Sequence, residues 1–241
     1  MKEKVLFLDF DGVLFDTLKE VYLVNRALYK GISLFDEVDK NNYLLYSKYK
    51  YLVYNIWMFY YYNPLLFDGC NDIEAEFKKA LLNRDINKEQ DFCNKFLEIR
   101  ADLVKNNYDF WQTLETPYDF FFGIKTLFNE GLKNIFIVSK KNKTAILQRF
   151  ASYGLNISQD NVFAREILDK YSTKGEFMAE FMEQRKFKKA IFVDDNQNNL
   201  KTCNNYPQIK QILAIWGNCQ PGLIGHNQNE ALNEIKKFFE I

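Results

Sequence analysis

The chain has 241 residues, 47% of them hydrophobic, which is enough apolar material for a sizeable core and for one or two domains. Its 32 lysines and arginines balance its 32 aspartates and glutamates. It therefore lacks the basic footprint that nucleic-acid binding leaves, and no nucleic-acid partner is expected.

The first element is a strand over Val5–Asp9 that runs directly into Asp9-Phe10-Asp11-Gly12. Residues i and i+2 of a strand share a face, so Asp9 and Asp11 form an acid pair at a strand's C-terminal end. Such a pair is costly unless a cation binds there, and in open α/β sheets that edge is where ligands bind. A carboxylate in this position can act as a nucleophile toward phosphorus. A divalent cation, usually Mg²⁺, removes the like-charge repulsion with a phosphate dianion. The second aspartate can protonate a leaving oxygen and then activate water, and Gly12 lets backbone amides approach an oxyanion. The competing reading, an Asp-Gly hairpin turn, needs a second strand at once; Leu14, Leu18, Val21 and Tyr22 look helical instead. The apolar run before Asp9 is too short for a signal peptide.

Residues 18–116 hold no alternation of strands and helices. Phe92, Phe96, Ile99 and Leu103 recur at helical spacing, and Ile73, Phe77, Ala80 and Leu81 repeat the pattern. The stretch from Tyr43 to Phe67 is rich in aromatics, with Trp57-Met58-Phe59-Tyr60-Tyr61-Tyr62 in a row. Lys48, Lys50 and Asn55 interrupt it and its uncharged run is too short for a membrane span, so no membrane partner is expected. Its first reading is core packing plus an interface with the rest of the chain. The alternatives are a self-association surface that makes a homodimer and a pocket for an aromatic or extended substrate.

Beyond Pro117 the rhythm changes. Strands are expected at Ile135–Ser139, Asn161–Ala164, Ala190–Asp194 and Gln211–Trp216. Between them lie helices at Phe120–Asn129, Lys143–Tyr153 and Asn196–Asn205, with Gly131 and Gly154 as stops for the first two. Thr173 is placed to cap a helix opening at Lys174 or Gly175, and Ala231, Leu232, Ile235, Phe238 and Phe239 mark the apolar face of a last helix. The alternation predicts an α/β fold with a parallel sheet covered by helices on both faces. Lys140, Lys141 and Lys143 read first as a solvated face and second as a positive rim that attracts anions. Cys70, Cys93, Cys203 and Cys219 form no CxxC or metal-type spacing, which suits thiols in a reducing, cytoplasmic compartment. His226 is the one histidine, so a Ser-His-Asp triad has a single candidate base.

Taken in order, these residues resemble the four short signatures of the haloacid dehalogenase-like hydrolase superfamily. Asp9-Phe10-Asp11-Gly12-Val13 matches the first. Ser139 closing Ile135–Val138 matches the second, Lys174-Gly175-Glu176 the third, and Asp194-Asp195 closing Ala190–Val193 the fourth. The likeness covers residues 4–17 and 117–217. It implies a Rossmann-like catalytic core of residues 1–17 and 117–241, with an all-helical cap of the C1 kind, residues 18–116, inserted after the first strand. Caps of this kind close over the catalytic edge, exclude water and confer specificity.

The resemblance also implies roles. Asp9 is the nucleophile and a Mg²⁺ ligand. Asp11 is the general acid and base, and its backbone carbonyl also binds the metal. Ser139 donates to a phosphoryl oxygen, and Lys174 neutralises charge on Asp9 and the phosphoryl group. Asp195 is a direct metal ligand, while Asp194 acts through water or through Lys174. Keeping Asp11 favours phosphate-ester cleavage over carbon–halogen or carbon–phosphorus chemistry. Asn199 stands where many relatives carry an acid, which lowers the charge at the metal. Arg100 and Arg165 are candidates for binding a second anionic group on the substrate. The implied activity is a Mg²⁺-dependent phosphatase of a small phosphorylated metabolite. The alternatives are a phosphomutase acting on a sugar phosphate and, from another class, a non-catalytic binding protein on the same fold; loss of Asp9 or Lys174 would have favoured the latter.

Overall fold

Short apolar runs, too brief for helices, become the strands β1 (Lys4–Leu8), β2 (Ile135–Val138), β3 (Val162–Phe163), β4 (Lys189–Asp194) and β5 (Ile209–Leu213) of a computed structural model that describes residues 3–241. They form one sheet in the order β3-β2-β1-β4-β5, and every neighbouring pair is parallel. A parallel sheet must be covered on both faces, and alternation along the strands supplies the two cores. Leu6, Leu8, Ile191 and Val193 pack with Phe121, Ile124, Ile146, Phe150 and Ile235. These last five come from helices Asp119–Asn129, Lys143–Ser152 and Gln228–Phe239. Val5, Phe7, Ala190 and Phe192 point the other way, onto Phe177, Met178 and Phe181 of helix Lys174–Arg185. That helix starts where Thr173 caps it, its hydroxyl accepting from the Glu176 amide at 3.1 Å.

Three elements differ from their sequence expectation. Leu14, read as helical, lies in a turn before a two-residue strand, Phe15–Asp16, which pairs antiparallel with Thr116–Pro117, and the helix begins only at Leu18. The last strand is β5, Ile209–Leu213, not Gln211–Trp216. Its register is set by β4, with Ala190 opposite Ile209 and Asp194 opposite Leu213. Past that point Ala214 gives its amide to the Asp194 carbonyl at 3.0 Å and makes an isolated bridge to His226, and Trp216 turns inward to donate from its indole nitrogen to the Val13 carbonyl at 3.0 Å. The helix expected over Asn196–Asn205 spans only Gln197–Lys201. Asn196 is its cap, and the Thr202 hydroxyl donates to the Asn199 carbonyl at 2.6 Å, a local bond that competes with continuation of the helix.

The chain divides into two compact units: the residues up to Asp16 with Thr116–Ile241, which hold the sheet, and Thr17–Glu115. The second unit is helical throughout its described elements, with helices Leu18–Lys30, Lys40–Tyr49, Phe59–Phe67, Ile73–Ala80, Ile86–Asn106 and Tyr108–Gln112. Its core takes up much of the aromatic stretch: Tyr46, Phe59 and Tyr62 are buried, and the Phe59 ring stacks on Phe96 and Tyr46 at 5.9 and 6.3 Å. Trp57 lies half-buried beneath the Arg84 guanidinium, 3.8 Å from its centroid. Among the described residues no helix is long and apolar enough to cross a membrane.

If these rings are core, Phe59→Ala lowers stability by about 3–5 kcal/mol. Trp57→Ala, which removes a half-exposed ring, costs clearly less. Urea unfolding followed by circular dichroism measures both, and equal losses would contradict this division of the cluster.

Candidate active site

The ends of β1 and β4 meet at one edge of the sheet because Leu8 pairs with Val193. Asp9 and Asp194 are the next residues of each strand, and the Asp9 amide donates to the Val193 carbonyl at 3.0 Å. On the other side Leu8 pairs with Ile137, which brings the end of β2 and Ser139 to the same edge. Alternation also aims Asp9 and Asp194 toward the face covered by helix Lys174–Arg185. Lys174, its first residue, places its ammonium 3.0 Å from Asp9 Oδ2 and 2.8 Å from Asp194 Oδ2. A cation at the positive end of a helix is unfavourable by itself; the two carboxylates compensate. Gly175 lets the helix start here, since a Cβ on it would lie 2.2 Å from the Thr202 carbonyl oxygen.

The two acids that close β4 are held differently. Asp194 is fully buried and accepts from Lys174, from the Asn196 amide at 2.8 Å and from the Asn199 side-chain amide at 3.1 and 3.0 Å. Asp195 accepts on Oδ2 from the Asn218 amide at 2.7 Å. Its carboxylate is pressed against two glycines. A Cβ at Gly12 would come within 1.9 Å of Asp195 Oδ2, and one at Gly217 within 2.2 Å of the Gly12 carbonyl oxygen. Gly12 also has φ of +80°, a conformation side chains disfavour.

Asp9, Asp194 and Asp195 each offer a carboxylate oxygen, and these oxygens lie within 4.8 Å of one another in buried surroundings. One ammonium, from Lys174, faces them. Burial pushes the Asp9 carboxyl up; Lys174 lowers it, and Asp194, Asp195 and Asp11 add to the rise, leaving it at about 8. Asp9 therefore sits beside Lys174 and still lacks full compensation, because its desolvation outweighs the pull of the lysine. Burial pulls the Lys174 ammonium down, but Asp194 and Asp9 outweigh it and hold it above its ordinary value. An excess of desolvated carboxylate with hard oxygen donors fits a divalent cation such as Mg²⁺. Asp9 also has both oxygens engaged, Oδ1 by the Phe10 amide at 2.8 Å and Oδ2 by Lys174, so Asp9, Asp194 and Asp195 together are the candidate donors.

Ser139 is buried, and its Oγ accepts from the Lys141 amide at 3.3 Å. Asp11 is turned to a different partner, the Lys141 ammonium, 3.2 Å from its Oδ1. Arg165 opens helix Arg165–Leu168 and gives its amide to the Lys141 carbonyl at 3.4 Å. Arg100 lies in the helical unit, in a bidentate pair with buried Glu20 at 2.6 and 2.7 Å. The lysine run does not form one solvated face: Lys140 is exposed and Lys143 donates to the Gln159 carbonyl, but Lys141 is buried. Sequence reasoning named Lys141 only within the lysine run, as a solvated face or a positive rim, and it missed the Gly217-Asn218 turn. The signals were a lysine two residues past Ser139 and a lone glycine after an aromatic strand end. The four cysteines are free thiols.

No protein-family model matches the chain, and no curated protein matches it. Solved structures do. A haloacid dehalogenase-like family hydrolase from Streptococcus pneumoniae aligns with a TM-score of 0.60 at 11% identity, over 97% of this chain and 99% of its own. A predicted phosphoglycolate phosphatase from Haemophilus somnus gives 0.58 at 13%, over 99% of both. A haloacid dehalogenase-superfamily hydrolase of subfamily IA, variant 1, from Geobacter sulfurreducens gives 0.52 at 13%, over 97% of both. The chain has the fold of the haloacid dehalogenase-like hydrolases: a Rossmann-like parallel sheet covered by helices, with a helical segment inserted after the first strand.

The raised Asp9 carboxyl has a measurable consequence. Without metal, a carboxyl raised to about 8 would keep in the fold a proton that the unfolded chain releases at about 4. Across that window the folded state binds the extra proton, so the contribution of Asp9 to stability falls as pH rises. A cation displaces the proton. Mg²⁺ is therefore expected to raise the melting temperature more at pH 8 than at pH 6. Thermal unfolding with and without Mg²⁺ at both pH values checks this; equal shifts would argue against proton competition at Asp9.

Proposed function

We propose that the chain is a Mg²⁺-dependent phosphatase that hydrolyses a small phosphorylated metabolite through an aspartyl-phosphate on Asp9. The observation that carries this reading is the constellation at one strand edge. Asp9 is paired with Lys174 beside Asp194 and Asp195, and a second aspartate, Asp11, is held apart by a different lysine. Two carboxylates two residues apart thus have separate environments, which suits separate roles.

In the first half-reaction a carboxylate oxygen of Asp9 attacks phosphorus. The new P–O bond forms as the ester P–O bond breaks, and the Asp11 carboxyl gives its proton to the departing oxygen. In the second, Asp11 takes a proton from water. The water oxygen attacks phosphorus, and the Asp9–phosphorus bond breaks to release inorganic phosphate. The Lys174 ammonium offsets charge on Asp9 and the phosphoryl oxygens, and the Ser139 hydroxyl donates to one of those oxygens. Asp194 keeps Lys174 in place. Asp9, Asp195 and the Asp11 carbonyl would hold Mg²⁺, which would supply neutralisation between carboxylate and phosphate dianion.

The Haemophilus somnus neighbour is described as a phosphoglycolate phosphatase by prediction, which supports a small anionic phosphate ester as substrate here. We assign selection of the leaving group to the helical unit and recognition of any second anionic group to Arg165. Arg100 already has its charge met by Glu20.

A panel of phosphorylated metabolites, assayed for inorganic phosphate, tests the reading. Turnover should vanish with chelator and return with Mg²⁺. Asp9→Asn should lower it by about four to six orders of magnitude, the scale for loss of a covalent nucleophile. Beryllofluoride should form its adduct on Asp9. Full turnover without metal, or an Asp9→Asn enzyme near the wild-type rate, would overturn the mechanism; isomerised ester in place of free phosphate would replace hydrolysis by mutase chemistry.

A further inference from the structure

A lysine side chain that is 1% exposed must have its charge answered. Lys141 reaches this state from the loop after β2. Its amide is tied to Ser139 Oγ and its carbonyl to the Arg165 amide, so the base of the side chain is fixed at both ends. Its ammonium lies 5.3 Å from the centroid of the buried Phe10 ring, a favourable cation–π arrangement, and 3.2 Å from Asp11 Oδ1. Asp11 is the looser partner. Its side chain is 33% exposed and stands at the tip of a turn, where the Leu14 and Phe15 amides bond back to the Phe10 carbonyl. A charge-assisted bond from an anchored ammonium restricts it.

We infer that Lys141 is a positioning residue for Asp11, fixing the orientation of the carboxyl that passes the proton; this rests on the phosphatase reading above. Lys141 holds Oδ1, and the proton travels on Oδ2. It leaves Oδ2 for the ester oxygen as the ester P–O bond breaks, and it returns from water as the Asp9–phosphorus bond is cleaved. Ser139 and Lys141 then form one device. A single loop, with one residue between them, sets both a donor for the phosphoryl group and the aim of the acid.

The test separates positioning from binding or folding by varying the leaving group. An aryl phosphate such as p-nitrophenyl phosphate leaves with little need of a proton, whereas a simple alkyl phosphate depends on one. Lys141→Met, which keeps the length and loses the charge, should lower kcat/KM for the alkyl ester about 100-fold, the low end for loss of general-acid catalysis. For the aryl ester the fall should be less than about tenfold, with KM little changed. Lys141→Arg, which keeps the charge, should recover part of the alkyl rate. Thermal unfolding accompanies each variant, and Lys141→Gln replaces the Met variant if that one does not fold. An equal fall for both esters overturns the inference and marks a structural role. A rise in KM for both at unchanged kcat also overturns it, and assigns Lys141 to phosphate binding. A wild-type chain that releases phosphate from neither ester overturns the phosphatase reading and this inference with it. Turnover of both by wild type, with no leaving-group effect in the variant, overturns the inference alone.

Discussion

The Lys174 ammonium shared between Asp9 and Asp194 is the contact on which the site depends. It joins β1, β4 and the helix that covers one face of the sheet, and it does so with charges removed from water. Breaking such an arrangement by removing one partner is costly, because the remaining charge is left buried. Everything nearby accommodates it. Thr173 caps the helix so that Lys174 can begin it. Gly175 omits the Cβ that would meet the Thr202 carbonyl. The register of β1 on β4 brings the two acids side by side. Yet one lysine cannot satisfy Asp9, Asp194 and Asp195 together, and that shortfall is what suits the site to a cation. The fold thus holds a locally unfavourable group of charges in place with a sheet edge whose own stability comes from two apolar cores.

Asp195 is positioned by absence of side chains. Gly12 and Gly217 approach its carboxylate more closely than any side-chain-bearing residue could, and the Asn218 amide completes the cradle. The turn that provides Gly217 is itself pinned by the Trp216 indole on the Val13 carbonyl and by Trp216 against Phe120, with centroids 4.9 Å apart. An aromatic residue anchored in the core therefore determines where a backbone amide meets a charged group. The segment from Leu213 to Asn218 turns away from the sheet early for this reason: a strand continued to Trp216 would carry the chain past the site.

Much of this is legible in the sequence. The core strands of a parallel sheet are apolar on both faces, so they appear as unbroken runs. At Asp9, Ser139 and Asp194 polar residues end those runs at the edge where ligands bind. Thr173 and Gly131 act locally, so a cap and a stop can be read from single residues. What the sequence does not display is register. The strand expected at Gln211–Trp216 has a sound apolar pattern, but its limits are set by pairing with Ala190–Asp194, a partner about twenty residues away. The same applies to Lys141. In a run of three lysines among five residues the ordinary inference is solvation, and only the position of Asp11 across the sheet edge makes one of them buried. The aromatic row at Trp57–Tyr62 poses the converse difficulty: one helical face of it is core and the other is not, and composition alone does not distinguish them.

Asn199 gives the site its particular balance. An acid at this position would add a carboxylate beside Asp9 and Asp194, which already share one ammonium. The amide instead donates to both oxygens of Asp194. With Lys174 and the Asn196 amide, this gives Asp194 donors on both oxygens. A carboxylate so fully engaged remains a strong partner for the lysine. The two neighbouring aspartates thus have different surroundings: Asp194 meets the Lys174 ammonium, and Asp195 accepts from the backbone amide of Asn218. An amide at Asn199 thus keeps a further negative charge away from Asp9, Asp194 and Asp195.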